Sequence, residues 1–237
     1  SQPVYQVQCL PDAIYEIRAA EDIYTPDGTL RVSAFEYVDT LTTDETGYAT
    51  SKQLYLGKYQ VAEVFAPHGM VINDEVIEVE LAYAGQDVEV TTSSASYVND
   101  RQKVEISLFK SLETDETYNK GMNGEMADVT FGIFASADIT AADGSIIPAE
   151  GLIEIVAVSE GGSTQFTTDL PFGQYYVKEI STNPAYMLNE NRYPVDFTYV
   201  GFETAKVSII ANDAQPIENN LIRGSVSGLK IDTNGTP

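Results

Sequence analysis

Three polar side chains stand where the alternation of a strand predicts apolar ones. Lys110, Glu179 and Asn219 each continue a run in which every second residue is apolar, so each is expected to point into a protein interior. The apolar residues that share a face with them are Val104, Ile106 and Leu108 for Lys110, Tyr175 and Val177 for Glu179, and Ile217 for Asn219. Burial of a polar side chain is costly unless it is paired, so the three are predicted to meet.

A lysine, a glutamic acid and an asparagine in one apolar interior can form an amide crosslink. Burial favours the uncharged forms of ionisable groups, so a neutral lysine and a protonated glutamic acid can coexist there. We expect the Lys110 amine to attack the Asn219 carboxamide, while Glu179 hydrogen-bonds the carboxamide oxygen and shuttles a proton to the departing ammonia. This is a single self-modification, and the chain is not expected to be an enzyme acting on an external substrate. The alternative is an unreacted buried ion pair of Lys110 with Glu179, capped by Asn219.

The positions around Glu179 belong to an internal repeat. A shift of 116 residues superposes residues 13–85 on residues 129–201 without a gap, and the Gly-x-Tyr-x-Val-x-Glu pattern that ends at Glu63 recurs at Glu179. A period above about 100 residues indicates tandem domains, not a solenoid. Each copy reads as all-β, because short alternating runs, such as 76–83, 86–91 and 195–200, are separated by Asp-Gly, Gly-Gly and Asn-Asp turn signals.

A second spacing marks the ends of the copies. Asn99 precedes Lys110 by 11 residues, and Asn219 precedes Lys230 by the same distance. We therefore predict domain one at residues 1–102, domain two at residues 103–223, and the first strand of a following repeat, with Lys230 as its lysine, at residues 224–237. The chain is expected to be a piece of a longer protein.

Domain one is predicted to hold an incomplete copy of the same site. Glu63 and Asn99 match Glu179 and Asn219, but no lysine lies ahead of Tyr15 to meet them. Lys58 has the opposite strand parity to Glu63 and is expected to face away. Glu63 and Asn99 should then remain a hydrogen-bonded, unreacted pair.

The composition argues against several classes of function. With 13 basic and 36 acidic residues, the net charge is −23, which disfavours nucleic acid and anionic membranes as partners. The single cysteine, Cys9, excludes an internal disulfide and is expected to be a small hydrophobe in a core or at a strand edge. No run approaches the roughly 20 apolar residues of a membrane helix.

Other site chemistries have weak support in the sequence. His68, the only histidine, sits in a Pro-His-Gly turn and is expected to be a solvated loop residue. The ligands for a zinc site are missing, no phosphate-binding glycine loop follows a strand, and no cofactor is expected. The acidic segments 43–45 and 113–116 lack the regular ligand spacing of a calcium loop and are interpreted as solvated turns.

Residues 57–70, which read GKYQVAEVFAPHGM, resemble the G-x-Y-x-V-x-E-x-x-A-P-x-G-Y signature of collagen-binding-protein B-type domains. These domains, also called SpaA-like or prealbumin-like, occur in Gram-positive pilins and adhesins. Domain two keeps the glycine, tyrosine, valine and glutamate but reads TNPAY at residues 182–186, so its following loop is altered. The resemblance implies two tandem immunoglobulin-like β-sandwiches of inverse transthyretin topology, an extracellular cell-wall-anchored location and a stalk role.

Two functions remain open from the sequence. The first is a structural stalk module of a pilin-like or adhesin protein, whose partners are the neighbouring repeats of the same chain. The second is a ligand-binding adhesin domain, in which one sandwich carries a site for host carbohydrate or protein. A glycan array or a pull-down with the isolated pair would separate the two.

Overall fold

The computed structural model describes residues 2–231 and contains sixteen β-strands and two short 3₁₀ turns within them. The strands that precede residue 100 are β1 (Ile14–Ala19), β2 (Ile23–Tyr24), β3 (Leu30–Val32), β4 (Tyr37–Thr42), β5 (Gly57–Phe65) and β6 (Val76–Leu81). The strands that follow it are β7 (Lys103–Leu112), β8 (Thr130–Ala135), β9 (Ile139–Thr140), β10 (Ile146–Ile147), β11 (Leu152–Ala157), β12 (Ser163–Phe166), β13 (Gly173–Ser181), β14 (Arg192–Phe197), β15 (Lys206–Ile210) and β16 (Ile217–Asn219). The 3₁₀ turns are Glu125–Asp128 and Asn212–Ala214.

Domain two is a β-sandwich of two principal sheets. One sheet has the strand order β11-β8-β13-β14, and the other has the order β12-β7-β15, with β16 also paired to β7. Strands β15 and β16 run parallel to β7, whereas β12 is antiparallel to it. The first strand of the domain is therefore hydrogen-bonded directly to its last, which brings Lys110 and Asn219 into one sheet.

The interior of domain two is filled by the inward faces of both sheets. Ile106 and Leu108 of β7 pack into the same buried cluster as Phe131 of β8 and Val177 of β13. Along β7, buried residues alternate with more exposed ones between Ile106 and Lys110, as the period of two requires. The all-β prediction is confirmed. The alternation also points Lys110, Glu179 and Asn219, which lie near the ends of three strands, into this interior.

Domain one repeats one of these sheets. Its strand order, β4-β1-β5-β6, corresponds to β11-β8-β13-β14 under the 116-residue shift, and a small ladder joins β2 to β3. Its buried core has seven hydrophobic residues against seventeen in domain two. The core is smaller because the described part of domain one has no strands in the places of β7, β12 and β15.

The two domains meet through a polar and aromatic junction. The Gln102 side chain is almost fully buried, donates to the carbonyl oxygens of Gly201 and Thr204, and accepts from the backbone N–H of Val200. Arg101 pairs with Asp169 at 2.6 Å. Every polar atom of the Gln102 amide is thus satisfied at the boundary, which favours one fixed arrangement of the junction.

Several local expectations are wrong. Residues 86–91 form no strand, because β6 ends the hydrogen-bonded sheet and no neighbouring strand pairs with them. Cys9 is exposed rather than in a core, since residues 2–10 lie along the surface without strand pairing.

The predicted first strand of a following repeat is only partly covered by the structure. Residues 224–231 form no strand, and Val226 is fully exposed. Residues 232–237 of that prediction lie outside the described residues. A strand is stabilised by its neighbours in a sheet, and no neighbour pairs with this segment within residues 2–231.

Candidate crosslinking site

The structure brings Lys110, Glu179 and Asn219 together in the interior of domain two. We call these three residues the candidate crosslinking site. Their exposed fractions are 4%, 1% and 2%, respectively. Lys110 and Asn219 come from β7 and β16 of one sheet, and Glu179 comes from β13 of the facing sheet. The strand alternation therefore predicted all three inward positions.

The Lys110 amine is held by backbone acceptors. Its Nζ donates to the carbonyl oxygens of Ile217, at 2.7 Å, and Ser111, at 2.9 Å. The Lys110 backbone N–H donates to the Gly162 carbonyl oxygen at 2.7 Å. A side chain at Gly162 would collide with the Lys110 carbonyl oxygen. A glycine with positive φ is thus needed beside the lysine.

Glu179 is the electrostatic partner of this amine. Lys110 Nζ lies 3.8 Å from Glu179 Oε1, and neither side chain is exposed. The other oxygen, Oε2, accepts the backbone N–H of Asn189 at 2.7 Å. One carboxylate oxygen is therefore fixed by the backbone, and the other faces the lysine.

Asn219 directs its nitrogen at Glu179. The Asn219 Nδ2 donates to Glu179 Oε1 at 3.0 Å and Oε2 at 2.9 Å, and also to Thr182 Oγ1 at 2.9 Å. The buried Oδ1 has no hydrogen-bond partner within the described residues. The expected bond from Glu179 to the carboxamide oxygen is absent from this arrangement, because both Glu179 oxygens accept from Nδ2 instead.

Burial also changes the proton affinity of the lysine. The loss of solvent lowers the pKa of Lys110 from 10.5 to about 8, and the negative charge of Glu179 opposes that change without cancelling it. A substantial fraction of the amine is therefore neutral near pH 8. Only the neutral amine has a lone pair with which to attack a carbonyl carbon.

Two residues of the site were missed by the sequence reasoning. Asn189 supplies its backbone N–H to Glu179, and Thr182 supplies its hydroxyl to Asn219. Asn189 had a signal, since it matches Asn73 in the repeat, and the Asn73 N–H bonds Glu63 in the same way at 2.7 Å. The only sequence signal for Thr182 was that the matching position in domain one holds Ala66.

Domain one contains the predicted incomplete copy. Asn99 Nδ2 donates to Glu63 Oε2 at 2.6 Å and to the Val71 carbonyl oxygen at 2.9 Å. Glu63 is only 6% exposed, and its Oε1 has no hydrogen-bond partner in the described part of the chain. Lys58 points instead to the outer side of the sheet, 4.0 Å from Glu78. The Glu63–Asn99 hydrogen bond and the outward direction of Lys58 are as expected.

Tyr15 is the residue beside the Glu63 carboxylate. Burial, followed by the charge of Glu63, raises the pKa of the Tyr15 hydroxyl to about 12. The matching residue in domain two is Phe131, which has no hydroxyl. Among the described residues, domain one therefore places a phenol, and no amine, next to its glutamate.

The remaining candidates serve local structure. His68 is an exposed loop residue, as expected, and its ring packs 4.5 Å from that of Tyr199 at the domain junction. Asp44 and Asp115 accept backbone N–H groups of their own turns. Within residues 2–231, no group of three or more His, Cys, Asp or Glu side chains is arranged to hold a metal ion. Lys230 is exposed and in no strand.

The comparison with protein families agrees with two tandem copies of one fold. The SpaA family model, described as a prealbumin-like fold domain, matches residues 6–96 and 109–212. This chain belongs to the SpaA prealbumin-like family. The two matched segments cover most of the chain and show tandem prealbumin-like domains, which confirms the fold inferred from the resemblance.

Individual relatives are distant or longer than this chain. A trypsin-resistant surface T6 protein of Streptococcus pyogenes serotype M6 is 35% identical over 68 residues, which make up 28% of this chain and 13% of that protein. The Bacillus anthracis TIE protein has a TM-score of 0.51 at 18% identity, covering 93% of this chain and 33% of that one. The minor pilin of Streptococcus agalactiae has a TM-score of 0.35 at 17% identity, covering 95% and 89%. The chain thus spans a third or less of the first two proteins.

No helix among residues 2–231 is both long enough and apolar enough to cross a membrane.

Proposed function

We propose that this SpaA-family chain is a structural stalk module of a cell-surface protein, pilin-like or adhesin, whose domain two is stabilised by a Lys110–Asn219 isopeptide bond. The observation that carries the proposal is the buried contact of the Lys110 amine with Glu179, which also binds the Asn219 carboxamide. Such a group of residues performs one self-modification and no turnover. We infer an extracellular, cell-wall-anchored location, consistent with the similarity of 28% of the chain to a surface protein of Streptococcus pyogenes.

The proposed reaction follows from the contacts of the amine. Lys110 passes one proton to Glu179, and the remaining two N–H groups still satisfy the Ile217 and Ser111 carbonyl oxygens. The lone pair attacks Cγ of Asn219, the Nζ–Cγ bond forms, and the Cγ–Nδ2 bond breaks. Lys110 gives up two protons in all, and Glu179 passes both to the leaving nitrogen. The first makes ammonia and the second makes ammonium, so Glu179 is a carboxylate again at the end of the reaction.

A covalent bond at this place suits a stalk. It would join the first and last strands of domain two and close a loop of roughly 110 residues, for which loop entropy predicts a stabilisation of about 4 to 5 kcal/mol. Tension between the domain termini would then pass through an amide bond instead of the strand hydrogen bonds. Reducing conditions, which cleave a disulfide, would leave this bond intact.

Intact mass of the purified chain tests the proposal. We expect a mass lower than the sequence mass by one ammonia, and a tryptic peptide in which Lys110 is joined to Asn219. Lys110→Ala should restore the full sequence mass of its variant, whereas the control Lys58→Ala should keep the loss, since Lys58 faces solvent. A wild-type chain with no loss of ammonia would refute the proposed bond.

A further inference from the structure

The hydroxyl of Thr182 occupies a special position in the candidate crosslinking site. It accepts the Asn219 Nδ2–H at 2.9 Å, and so contacts the nitrogen that would leave. The two Nδ2 hydrogens are used by the Glu179 carboxylate and by Thr182, while Oδ1 is buried without a hydrogen-bond partner among the described residues. In this orientation no donor within residues 2–231 stabilises the carboxamide oxygen, where negative charge would develop.

Proton transfer from Lys110 to Glu179 changes which orientation of the carboxamide is favoured. An ionised carboxylate accepts from NH₂, whereas a protonated carboxyl group can donate to the carbonyl oxygen. The χ2 torsion of asparagine has a broad, roughly two-fold preference. A rotation of 180° about χ2 therefore exchanges the positions of Nδ2 and Oδ1 and leaves the rest of the side chain in place. After that turn, Oδ1 would face both Glu179 and Thr182.

A hydroxyl suits both orientations because it can accept and donate. Thr182 accepts from Nδ2 before the turn and can donate to Oδ1 after it. The matching contact in domain one is different: Asn99 Nδ2 donates to the backbone carbonyl of Val71, and Ala66 stands where Thr182 would be. A carbonyl oxygen cannot donate, so the domain-one amide has no equivalent second donor.

We propose that Thr182 is a catalytic residue of the crosslinking reaction, which with protonated Glu179 forms a two-donor pocket for the negative charge on Asn219 Oδ1. This inference rests on the proposed function. The Thr182 O–H bond stays intact throughout: Nζ–Cγ forms, Cγ–Nδ2 breaks, and Glu179 alone carries both protons, one after the other, from Nζ to Nδ2. Thr182 lowers the barrier by stabilising charge and takes no part in the proton balance.

Three substitutions distinguish the effect of the Thr182 hydroxyl on the crosslinking rate from the effect of the rest of the side chain. Thr182→Val keeps the volume and removes the hydroxyl, Thr182→Ala removes both, and Thr182→Ser keeps the hydroxyl. Ser181→Ala is the matched control, because the Ser181 hydroxyl is adjacent but bonds Thr130 and Asp128 outside the site. Each full-length chain is made in a short pulse of cell-free synthesis, and the loss of ammonia is followed by intact mass.

We expect the valine and alanine variants to crosslink about 100-fold more slowly, the usual effect of removing one donor from such a pocket. Thr182→Ser and Ser181→Ala should stay within about tenfold of the wild-type rate. The pH midpoint of the reaction should be the same in every variant, because Lys110 and Glu179 set it. A purely structural role would instead lower the folded fraction, measured by circular dichroism, without slowing the folded molecules.

Folded Thr182→Val that reacts at the wild-type rate would overturn the proposal. If the valine and alanine variants do not fold, the serine variant decides the question. Thr182→Ser keeps the hydroxyl, so a crosslinking rate about 100-fold below the wild-type rate in this variant would contradict a role of the hydroxyl. If the wild type itself loses no ammonia, the proposed isopeptide bond fails, and that result is distinct from a slow variant beside a reactive wild type.

Discussion

The Lys110 amine and the nearer carboxylate oxygen of Glu179 are 3.8 Å apart, and neither side chain has exposed surface. A buried ion pair of this kind seldom stabilises a protein over an apolar pair of the same size, because both charges lose their hydration. The pair is therefore better explained by its chemistry. In the proposed reaction, the contact would allow proton transfer from Lys110 to Glu179 next to the Asn219 carboxamide.

The first prediction concerns Glu179. Glu179→Ala should abolish the crosslink while domain two remains folded, because the lysine loses its proton acceptor and the leaving nitrogen its proton donor. Intact mass should show the full sequence mass of the variant. The matched control is Glu63→Ala, which changes the equivalent glutamate of domain one and should keep the loss of one ammonia. A crosslink that forms at the same rate without Glu179 would show that it is not the proton shuttle.

The second prediction concerns pH. The folded pKa of Lys110 is about 8, below its ordinary value, so folding favours the neutral amine. The proposed reaction needs the proton that Lys110 passes to Glu179, so the crosslinking rate should change little between about pH 6 and pH 8 and should fall above about pH 8, by about tenfold per pH unit, as that proton is lost to solvent. Rates of ammonia loss after a synthesis pulse, measured between about pH 6 and pH 9, check this. A rate that keeps rising above about pH 8 would contradict the proton transfer from Lys110 to Glu179.

The third prediction concerns domain one. Asn99 should remain uncrosslinked, because its glutamate lies beside Tyr15 and Lys58 faces Glu78 on the outer side of the sheet. Intact mass should show the loss of one ammonia and not two, and tryptic digestion should release the Asn99 peptide in linear form. A crosslinked peptide that contains Asn99 would contradict this assignment.

The inward positions of the site were predictable because a strand has a period of two. Once Ile106 and Leu108 are assigned to the core, Lys110 must follow them, and the same rule holds for Glu179 after Val177. The rule failed for residues 86–91, because alternation fixes the face of a strand but cannot supply a neighbouring strand. The sequence also could not show the direction of the Asn219 amide, which depends on the charge of Glu179.

The groups around the three residues of the candidate site were harder to predict. The Asn189 N–H is a backbone donor, so no residue type encodes it, and only the match with Asn73 hints at a shared role. Thr182 contacts Asn219 because of the conformation of the loop just after β13, and the two repeats differ in sequence in this loop. Gln102 is buried because two domains meet around it, and strand periodicity within either domain carries no information on that contact.

The last prediction concerns stability. If domain two is crosslinked and domain one is not, calorimetry should resolve two transitions, with domain two the more resistant to heat, because a covalent loop loses less entropy on folding. Lys110→Ala and Asn219→Ala should both lower the stability of domain two, by about 4 to 5 kcal/mol for the lost loop closure. Asn219→Ala is the cleaner variant, since it removes the bond but keeps the buried contact of Lys110 with Glu179. Lys58→Ala should leave that transition in place, and domain two melting first in the wild type, or an unchanged transition in Asn219→Ala, would refute stabilisation by the crosslink.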